Sequence, residues 1–458
     1  MAFDLVVVGG GAAGLGAARE GTRRGARVLL VQQGEIGGDC TFTGCVPSKA
    51  LLAAAASGAS FAEARERVAR AVERVAANES DDVIQGEGIE VRHGFATFRS
   101  PTEIDLDGVR VEAPRIVLAT GAGPVVPPIP GLADVDPLTN ETVFGLERRP
   151  ERLAVLGGGP IGVELGQAFA RLGTKVTIVE ALDRLLAKEE PEASEVVTAA
   201  LVHDGVDVRV GRRLERVTPN GSGATLVLDD GSAVEVDRVL VAVGRRAVTE
   251  GLALERAGVA VDERGYVGAD DTMATSAPTV WAAGDVTGHL QLTHAANKMG
   301  MVAARNALTN RALAKVRPAR FDAAAVPWAT FTSPEVGRVG LTEAESVAQG
   351  GRVAYLPMAE LDRAIATGET RGFVKLIAGP RRVGGRLGGG VLLGATAVAP
   401  CGGELVHEVA LAMRSRMFVG RLAQTVHAYP TWSMAIQQAA AQFFFTVEGR
   451  TARPAVGP

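Results

Sequence analysis

Cysteine is scarce in this sequence, with three residues in 458. So sparse a set cannot build a disulfide scaffold. The expectation is a reducing compartment, in which closely spaced cysteines serve catalysis, redox exchange or metal binding. Aromatic side chains make up only 4% of the chain, too few for a base-stacking surface. A dominant charge sign is missing as well: 48 Lys and Arg against 52 Asp and Glu leave a net −4, which attracts neither nucleic acid nor an anionic membrane. No run of about 18 apolar residues occurs, so no membrane span is expected. The N-terminus has no basic stretch ahead of its apolar run, and Leu5–Val8 leads straight into glycines, unlike a secretory signal. These absences predict a cytoplasmic protein with no nucleic-acid and no membrane partner.

Glycine, by contrast, is plentiful at 57 residues, in a chain that is 47% hydrophobic and 22% charged. That balance fits a globular protein, and the length suggests about three domains. The glycines fall into an internal repeat. The first copy reads Asp4-Leu-Val-Val-Val-Gly9-Gly-Gly11-Ala-Ala-Gly14 and the second Arg152-Leu-Ala-Val-Leu-Gly157-Gly-Gly159-Pro-Ile-Gly162. Each places G-x-G-x-x-G between a short apolar strand and a helical stretch, followed by a second apolar strand, Val28–Val31 or Val176–Val179. The strand-end polar residue, Gln32 or Glu180, follows the first glycine by the same interval in both copies, the roughly 20 residues of a dinucleotide-binding βαβ unit. One such motif is weak evidence, whereas two correctly placed copies are strong. The glycines permit a tight turn and a close backbone approach, and the helix N-terminus faces a pyrophosphate.

Between the copies, Phe61–Val75 reads as an amphipathic helix with a solvated Arg/Glu face, Val91–Val111 as short strands, and Pro124–Pro130 as a connector. Val206–Val243 is again strand-rich. From about Asp322 the character changes, with strands expected at Val336–Leu341, Phe373–Ile377 and Val391–Val398, helices at Glu404–Met413 and Ser433–Phe445, and a hairpin loop at Gly384–Gly390. The expected fold class is α/β, with two Rossmann-like dinucleotide-binding domains and a C-terminal α+β dimerisation domain.

The chemistry concentrates in Gly37-Gly-Asp-Cys40-Thr-Phe-Thr-Gly-Cys45-Val-Pro-Ser-Lys49. A bare C-x4-C could bind zinc, but zinc usually takes four ligands, Cys401 is remote and no His lies nearby in sequence. A disulfide suits the spacing better. Residues five apart in a regular helix rise about 7.5 Å, whereas a disulfide wants its Cα atoms within about 7 Å. Cys40 is therefore expected on a distorted turn before a helix that Pro47 helps to start. Near that N-terminus a Cys45 thiolate would be stabilised by the helix dipole.

Cys40–Lys49, the two glycine motifs, Leu118-Ala-Thr-Gly121, Val243-Gly-Arg245 and Ala282-Ala-Gly-Asp285 together resemble the class I pyridine nucleotide-disulfide oxidoreductases, a family that includes lipoamide dehydrogenase, glutathione reductase and mercuric reductase. The resemblance spans nearly the whole chain. It implies an FAD-binding domain over residues 1–146 and 270–321, an NAD(P)-binding domain over 147–269 and a dimerisation domain over 322–458. Gly9, Gly11 and Gly14 would hold the FAD pyrophosphate, Asp285 the ribityl chain, and Thr120 and Gly121 the domain crossing. Gly157, Gly159 and Gly162 would hold the nicotinamide nucleotide, with Gly38, Ala96, Gly244 and Ala295 as further cofactor positions. Cys45 would be the thiolate against the flavin and Cys40 the interchange thiol, while Lys49 and Glu164 would pair beside the flavin. Glu180 favours NADH over NADPH, because a carboxylate accepts from a ribose 2′-OH and repels a 2′-phosphate; Arg184, one helical turn later, could soften that preference. Gln32 stands where the family usually carries an acid and can still accept from a ribose hydroxyl.

The C-terminal segment departs from the family. Lipoamide dehydrogenase and glutathione reductase carry a His/Glu acid–base dyad there, whereas this chain reads His427-Ala-Tyr429-Pro-Thr-Trp-Ser-Met434. Tyr429 takes the catalytic histidine position and Met434 the glutamate position. An imidazole suits proton transfer near neutral pH, and a phenol with a pKa near 10 does so poorly. His427 is a reserve candidate without a visible carboxylate partner. Tyrosine at this position resembles mercuric reductase, although the adjacent C-terminal cysteines of that enzyme are absent and Cys401 is the remaining thiol. The expected protein is a homodimeric FAD- and NADH-dependent reductase of a small-molecule or metal-ion acceptor: a soft metal ion, a disulfide or a quinone-like compound. A lipoamide or low-molecular-weight disulfide reductase and a non-catalytic redox sensor are the alternatives.

Overall fold

Strand β1 (Leu5–Val8) is four buried apolar residues, the pattern of a strand covered on both faces. Helix α1 (Ala12–Arg23) carries the chain to β2 (Val28–Gln32), which pairs parallel to β1. In this computed structural model, which describes residues 3–221, 223–310, 316–381 and 384–457, the chain forms two compact units.

The first unit comprises Met1–Pro128, Pro137–Arg149 and Leu240–Ala323. After β2 come α2 (Gly38–Phe42), α3 (Cys45–Ala56) and α4 (Phe61–Ala76). A reciprocal capping box between Ser60 and Glu63 starts α4, and its inward face buries Ala64 and Val68. With β3 (Glu90–His93), β7 (Ile116–Leu118) and β17 (Val280–Ala282), β1 and β2 form a parallel sheet ordered β17-β7-β1-β2-β3. An antiparallel meander, β4 (Ala96–Ser100), β5 (Glu103–Leu106) and β6 (Val109–Glu112), follows β3. β8 (Ala122–Pro124) pairs with β16 (Arg245–Ala247), and α8 (Thr293–Leu308) reaches α1 through Asn297, whose amide donates to the Ala12 carbonyl at 3.3 Å.

The second unit comprises Ile129–Asp136, Pro150–Val239 and Ala324–Pro458. It repeats the βαβ plan with β9 (Arg152–Leu156), α6 (Pro160–Arg171) and β10 (Lys175–Glu180), then adds α7 (Pro191–His203) and β11 (Asp207–Val210), all three strands parallel. Its C-terminal part is a six-stranded sheet ordered β18-β19-β22-β21-β20-β23: Pro327–Thr330, Glu335–Gly340, Val391–Ala399, Phe373–Gly379, Arg352–Pro357 and Arg453–Pro454. Helices Gly402–Arg414 and Met434–Ala441 close its core through Val406, Val409 and Ile436. The α/β class with two dinucleotide folds and a C-terminal α+β region is thus the architecture. The glycine-rich stretch at 384–390 lies in the β21–β22 connection; residues 382 and 383 beside it lie outside the described set.

Within the second unit a buried charge cluster joins distant segments. Lys375 on β21 is 1% exposed, and its ammonium lies 3.1 Å from Glu190, 2.6 Å from Glu192 and 3.1 Å from Glu343. Arg453 pairs with Glu343, and the Val456 N–H donates to it at 3.1 Å. Burial alone would raise the Glu343 carboxyl, but Arg453, the Val456 N–H and Lys375 outweigh it and bring its pKa down to about 2. A lone charge left in such a site is costly, so Lys375→Met is expected to destabilise this unit by roughly 3–5 kcal/mol in denaturant unfolding. Because the folded pKa of Glu343 is depressed, its contribution is complete above the ordinary value of 4.5 and is lost as pH falls toward about 2. The thermal midpoint is expected to fall less steeply across that window in Glu343→Gln than in the parent chain.

Candidate active site

The two glycine turns repeat each other atom for atom. Gly9 N donates to Val31 O at 2.8 Å and Gly157 N to Val179 O at 2.9 Å. A Cβ on Gly14 would stand 1.7 Å from Gly9 O, and one on Gly162 would stand 1.9 Å from Gly157 O. Only glycine allows these contacts, and they fix where each helix begins. Gly11 caps α1 and Gly159 caps α6, neither with a side-chain hydrogen bond and neither with an acid in the first turn. Both helices therefore open on unclaimed N–H groups and a positive dipole end, which suits a pyrophosphate.

The strand-end residues also correspond. Glu180 accepts from Gly158 N at 2.6 Å and from Leu182 N at 2.8 Å. Gln32 accepts from Gly10 N at 2.6 Å through Oε1, while its Nε2 donates to Gln33 O and Glu35 O at 3.0 Å each. Gln32 thus reproduces the inward contact of the carboxylate but presents no negative charge. Arg184, which the sequence offered as a possible phosphate ligand, instead donates to Glu189 O at 2.9 Å and Ala187 O at 2.7 Å.

Cys40 sits in the five-residue α2, and Cys45 is the first residue of the twelve-residue α3. Gly44 makes the break between them: a Cβ there would stand 2.9 Å from Asp39 O and 3.3 Å from the Cys40 Cα. Neither cysteine forms a disulfide in this structure, and Cys45 Sγ lies 3.4 Å from Thr293 Oγ1 at the start of α8. The hydrogen bond to Cys45, reinforced by burial and by charge on Cys45, pushes the Cys40 thiol up, which leaves Cys45 as the sulfur placed to carry charge. Its position at an uncapped helix N-terminus favours that charge further.

In the same unit Asp285 is largely buried, and burial raises its carboxyl against the opposing pull of Arg245, with Asp39 adding to the rise. The Arg245 Nε stands 3.7 Å from Asp285, buried and without a hydrogen-bond partner. A buried carboxylate beside an orphaned donor suits a hydroxyl-bearing ligand. Thr120 Oγ1 donates to Val248 O at 2.7 Å, and Gly121 adopts φ +76 at the chain crossing. Gly38 packs onto Gly11, where a Cβ would meet the Gly11 Cα at 2.9 Å. Ala96 and Ala295 are buried on β4 and α8, and Gly244 precedes β16 with φ +153. Uncapped helix ends, a buried acid and close glycines are what an extended dinucleotide such as FAD would need.

In the second unit Glu164 is 4% exposed on α6 and accepts from Phe331 N at 2.8 Å. Lys49 lies on α3 of the first unit. Tyr429 is exposed and donates its hydroxyl to Asp362, which pushes the phenol up. His427 is corrected by the structure: it does have a carboxylate partner. Glu408, from the helix Gly402–Arg414, lies 3.1 and 3.2 Å from His427 Nε2, while Nδ1 meets Thr425 O at 2.9 Å. A carbonyl only accepts, so Nδ1 is the donor in its contact with Thr425 O. Burial and the carboxylates Glu335, Glu404 and Glu369 push the Cys401 thiol to about 11, which keeps it protonated.

A family model described as pyridine nucleotide-disulphide oxidoreductase matches residues 3–300, and the dimerisation-domain model of that family matches residues 326–440. The chain belongs to the pyridine nucleotide-disulphide oxidoreductase family. It is 37% identical to mercuric reductase of Streptomyces lividans and 36% identical to dihydrolipoyl dehydrogenase of Thermus scotoductus, over 96% of each chain in both cases. The HOCl-induced flavoprotein disulfide reductase RclA of Escherichia coli superposes with a TM-score of 0.87 at 29% identity, covering 96% of this chain and 99% of that one. The Cu(II) complex of that protein gives a TM-score of 0.86 at 28% identity, with the same coverage. This pyridine nucleotide-disulphide oxidoreductase is accordingly an FAD-dependent enzyme that uses NAD(P)H, and its dimerisation domain supports a homodimer.

Among the described residues no helix is long and apolar enough to cross a membrane, and no cluster of His, Cys, Asp or Glu is arranged to hold a metal ion. Sequence reasoning missed Asp39, Asn140, Asp362 and Glu408. A charged residue directly before Cys40 was the available signal for Asp39. Asp362 and Glu408 have none, because folding alone brings them to Tyr429 and His427.

The repeat permits a selective test. Gly162→Ala drives a Cβ into Gly157 O but leaves the first turn intact. The purified oxidoreductase is expected to keep its yellow flavin while NADH-dependent bleaching slows at least tenfold, as read by anaerobic stopped-flow absorbance.

Proposed function

We propose that this oxidoreductase is a homodimeric NADH-dependent reductase in which Cys40–Cys45 is the working redox pair and its acceptor is a soft metal ion ahead of an ordinary disulfide. The proposal includes a cytoplasmic location, read from the scarcity of cysteine, and the domain division 1–146 with 270–321, 147–269 and 322–458. Gly9, Gly11 and Gly14 would hold the FAD pyrophosphate, Gln32 a ribose hydroxyl and Asp285 the ribityl chain, with Gly38, Ala96, Thr120, Gly121, Gly244 and Ala295 as further cofactor positions. Gly157, Gly159, Gly162 and Glu180 would hold NADH. When bound, FAD supplies two-electron transfer between nicotinamide and sulfur. Cys45 bears the thiolate at the head of α3, Cys40 keeps its proton and meets the acceptor, and Lys49 and Glu164 hold charge beside the transfer.

The overall exchange balances. NADH, a proton and the Cys40–Cys45 disulfide give NAD+ and the dithiol; the dithiol then passes an electron pair to the acceptor, releases two protons and re-forms the S–S bond. Thiolates are preferred ligands of soft metal ions. The observation that carries the choice of acceptor is Tyr429. A disulfide substrate needs a group that takes the proton of the attacking thiol and returns one to the leaving thiolate, whereas the Tyr429 hydroxyl already donates to Asp362, which raises its pKa, and Met434 offers no acid. The mercuric reductase relative and the Cu(II) complex of the RclA structure point the same way.

Glu180 supports NADH. Two backbone N–H groups hold its carboxylate at the end of β10, where a carboxylate accepts from a ribose 2′-OH and repels a 2′-phosphate. Arg184 is turned to backbone carbonyls. A second reading, lipoamide or low-molecular-weight disulfide reduction, is favoured by the His427–Glu408 pair, which resembles a displaced acid–base dyad.

The expected kcat/KM with NADH exceeds that with NADPH at least tenfold, and Glu180→Ala narrows the gap. With Hg(II) or Cu(II) as acceptor, His427→Asn should change the rate less than twofold. Brisk lipoamide turnover that collapses in His427→Asn would overturn the soft-metal reading and establish the second one.

A further inference from the structure

Asp39 stands immediately before Cys40, and both of its carboxylate oxygens are held. Oδ1 accepts from the Thr43 hydroxyl and from Asn140 Nδ2 at 3.1 Å. Oδ2 lies 2.6 Å from Arg245 Nη2. Asn140, itself buried, also reaches Thr43 O at 3.4 Å, so it binds both ends of the turn that separates the two cysteines. Arg245 is fixed on β16: Tyr266 Oη donates to its carbonyl at 2.8 Å, and its guanidinium also donates to Ala122 O. The Nε of the same guanidinium faces Asp285 at 3.7 Å. One cation therefore bridges two carboxylates, one beside the thiols and the other at the position assigned to the flavin ribityl chain.

We propose that Asp39 and Arg245 are positioning residues for the redox pair: together they clamp the short helix bearing Cys40 against the start of α3 and set the charge the thiols experience. The inference rests on reading Cys40–Cys45 as that pair. The cluster holds two carboxylates and one guanidinium. Neutralising Asp39 leaves the cation less compensated, which favours a thiolate. Neutralising Arg245 leaves two carboxylates, which disfavours one. The guanidinium lies 2.6 Å from Asp39 and 3.7 Å from Asp285, and burial raises the Asp285 carboxyl against the pull of Arg245, with Asp39 adding to the rise. Other charged or titratable groups on the elements that meet here are Lys49 on α3, His294, Lys298 and Arg305 on α8, Arg246 on β16, and Glu79, whose carboxylate accepts from the Thr41 hydroxyl on α2 at 2.9 Å. They are constant across the variants.

The test uses FAD-loaded enzyme reduced anaerobically by two electrons, and follows the long-wavelength thiolate–flavin band against pH. Asp39→Asn, which keeps the side-chain shape, is expected to move the half-developed point of the band down by on the order of half a pH unit. Arg245→Met is expected to move it up, and Arg245→Lys to stay near the parent value. If Arg245→Met does not retain flavin, the downward shift of Asp39→Asn and an equal downward shift of the double variant Asp39→Asn/Arg245→Lys relative to Arg245→Lys decide the matter, and no shift in either background would overturn the clamp. Equal positions in every variant, or shifts of Asp39→Asn and Arg245→Met in the same direction, would overturn the clamp while Cys45→Ser still abolishes the band. If the parent enzyme shows no such band at any pH, the redox-pair reading falls and the clamp with it.

Discussion

The carbonyl of Gly9 occupies the place where residue 14 would carry a Cβ, and the carbonyl of Gly157 does the same to residue 162. That backbone contact is the constraint on which both strand–turn–helix units depend. It brings each strand end directly under the first turn of the following helix, so that the uncapped N–H groups of α1 and α6 point where the chain leaves the sheet. A larger residue at position 14 or 162 would push helix from strand and disturb the anion-binding turn of that unit. The two turns differ in the residue that braces them from the next strand: an anionic Glu180 in one and a neutral Gln32 in the other, each accepting from the corresponding backbone N–H at 2.6 Å. Their geometry is shared and their electrostatics are not.

The cysteine segment obeys a similar rule at smaller scale. Gly44 lets the backbone fold back onto Asp39 and Cys40, breaking the helix so that the second thiol starts a new one. Cys45 then receives the α3 dipole, while the hydrogen bond to Cys45 and burial push the Cys40 thiol up. That a helix starts at the second sulfur and not at the first is one source of the difference between them.

Much of this was legible in the sequence because it is local. The glycine spacing, the strand-end polar residues and the break between the cysteines all lie within a few tens of residues. The expected strands at Val336–Leu341 and Val391–Val398 correspond to Glu335–Gly340 and Val391–Ala399. The last expected helix proved shorter, ending at Ala441 rather than Phe445, because its final turns are irregular. Strands Pro327–Thr330 and Arg352–Pro357 were not expected, since each begins or ends at proline and shows little alternation. What could not be read were the pairings made only by folding. Lys375 gathers Glu190 and Glu192 from one segment and Glu343 from another, Tyr429 meets Asp362, and Glu408 supplies the carboxylate that His427 had been expected to lack. In each case the partner is set by tertiary packing, and no local pattern marks it.

The account turns on electrons from NADH reaching Cys40–Cys45, and a thiol count tests that directly. Enzyme oxidised under air is denatured and its free thiols are titrated, before and after anaerobic reduction by excess NADH. The account predicts that reduction adds a pair of titratable thiols per chain in the parent protein and none in Cys40→Ser or Cys45→Ser. An unchanged count in the parent protein, with its flavin fully reduced, would contradict it.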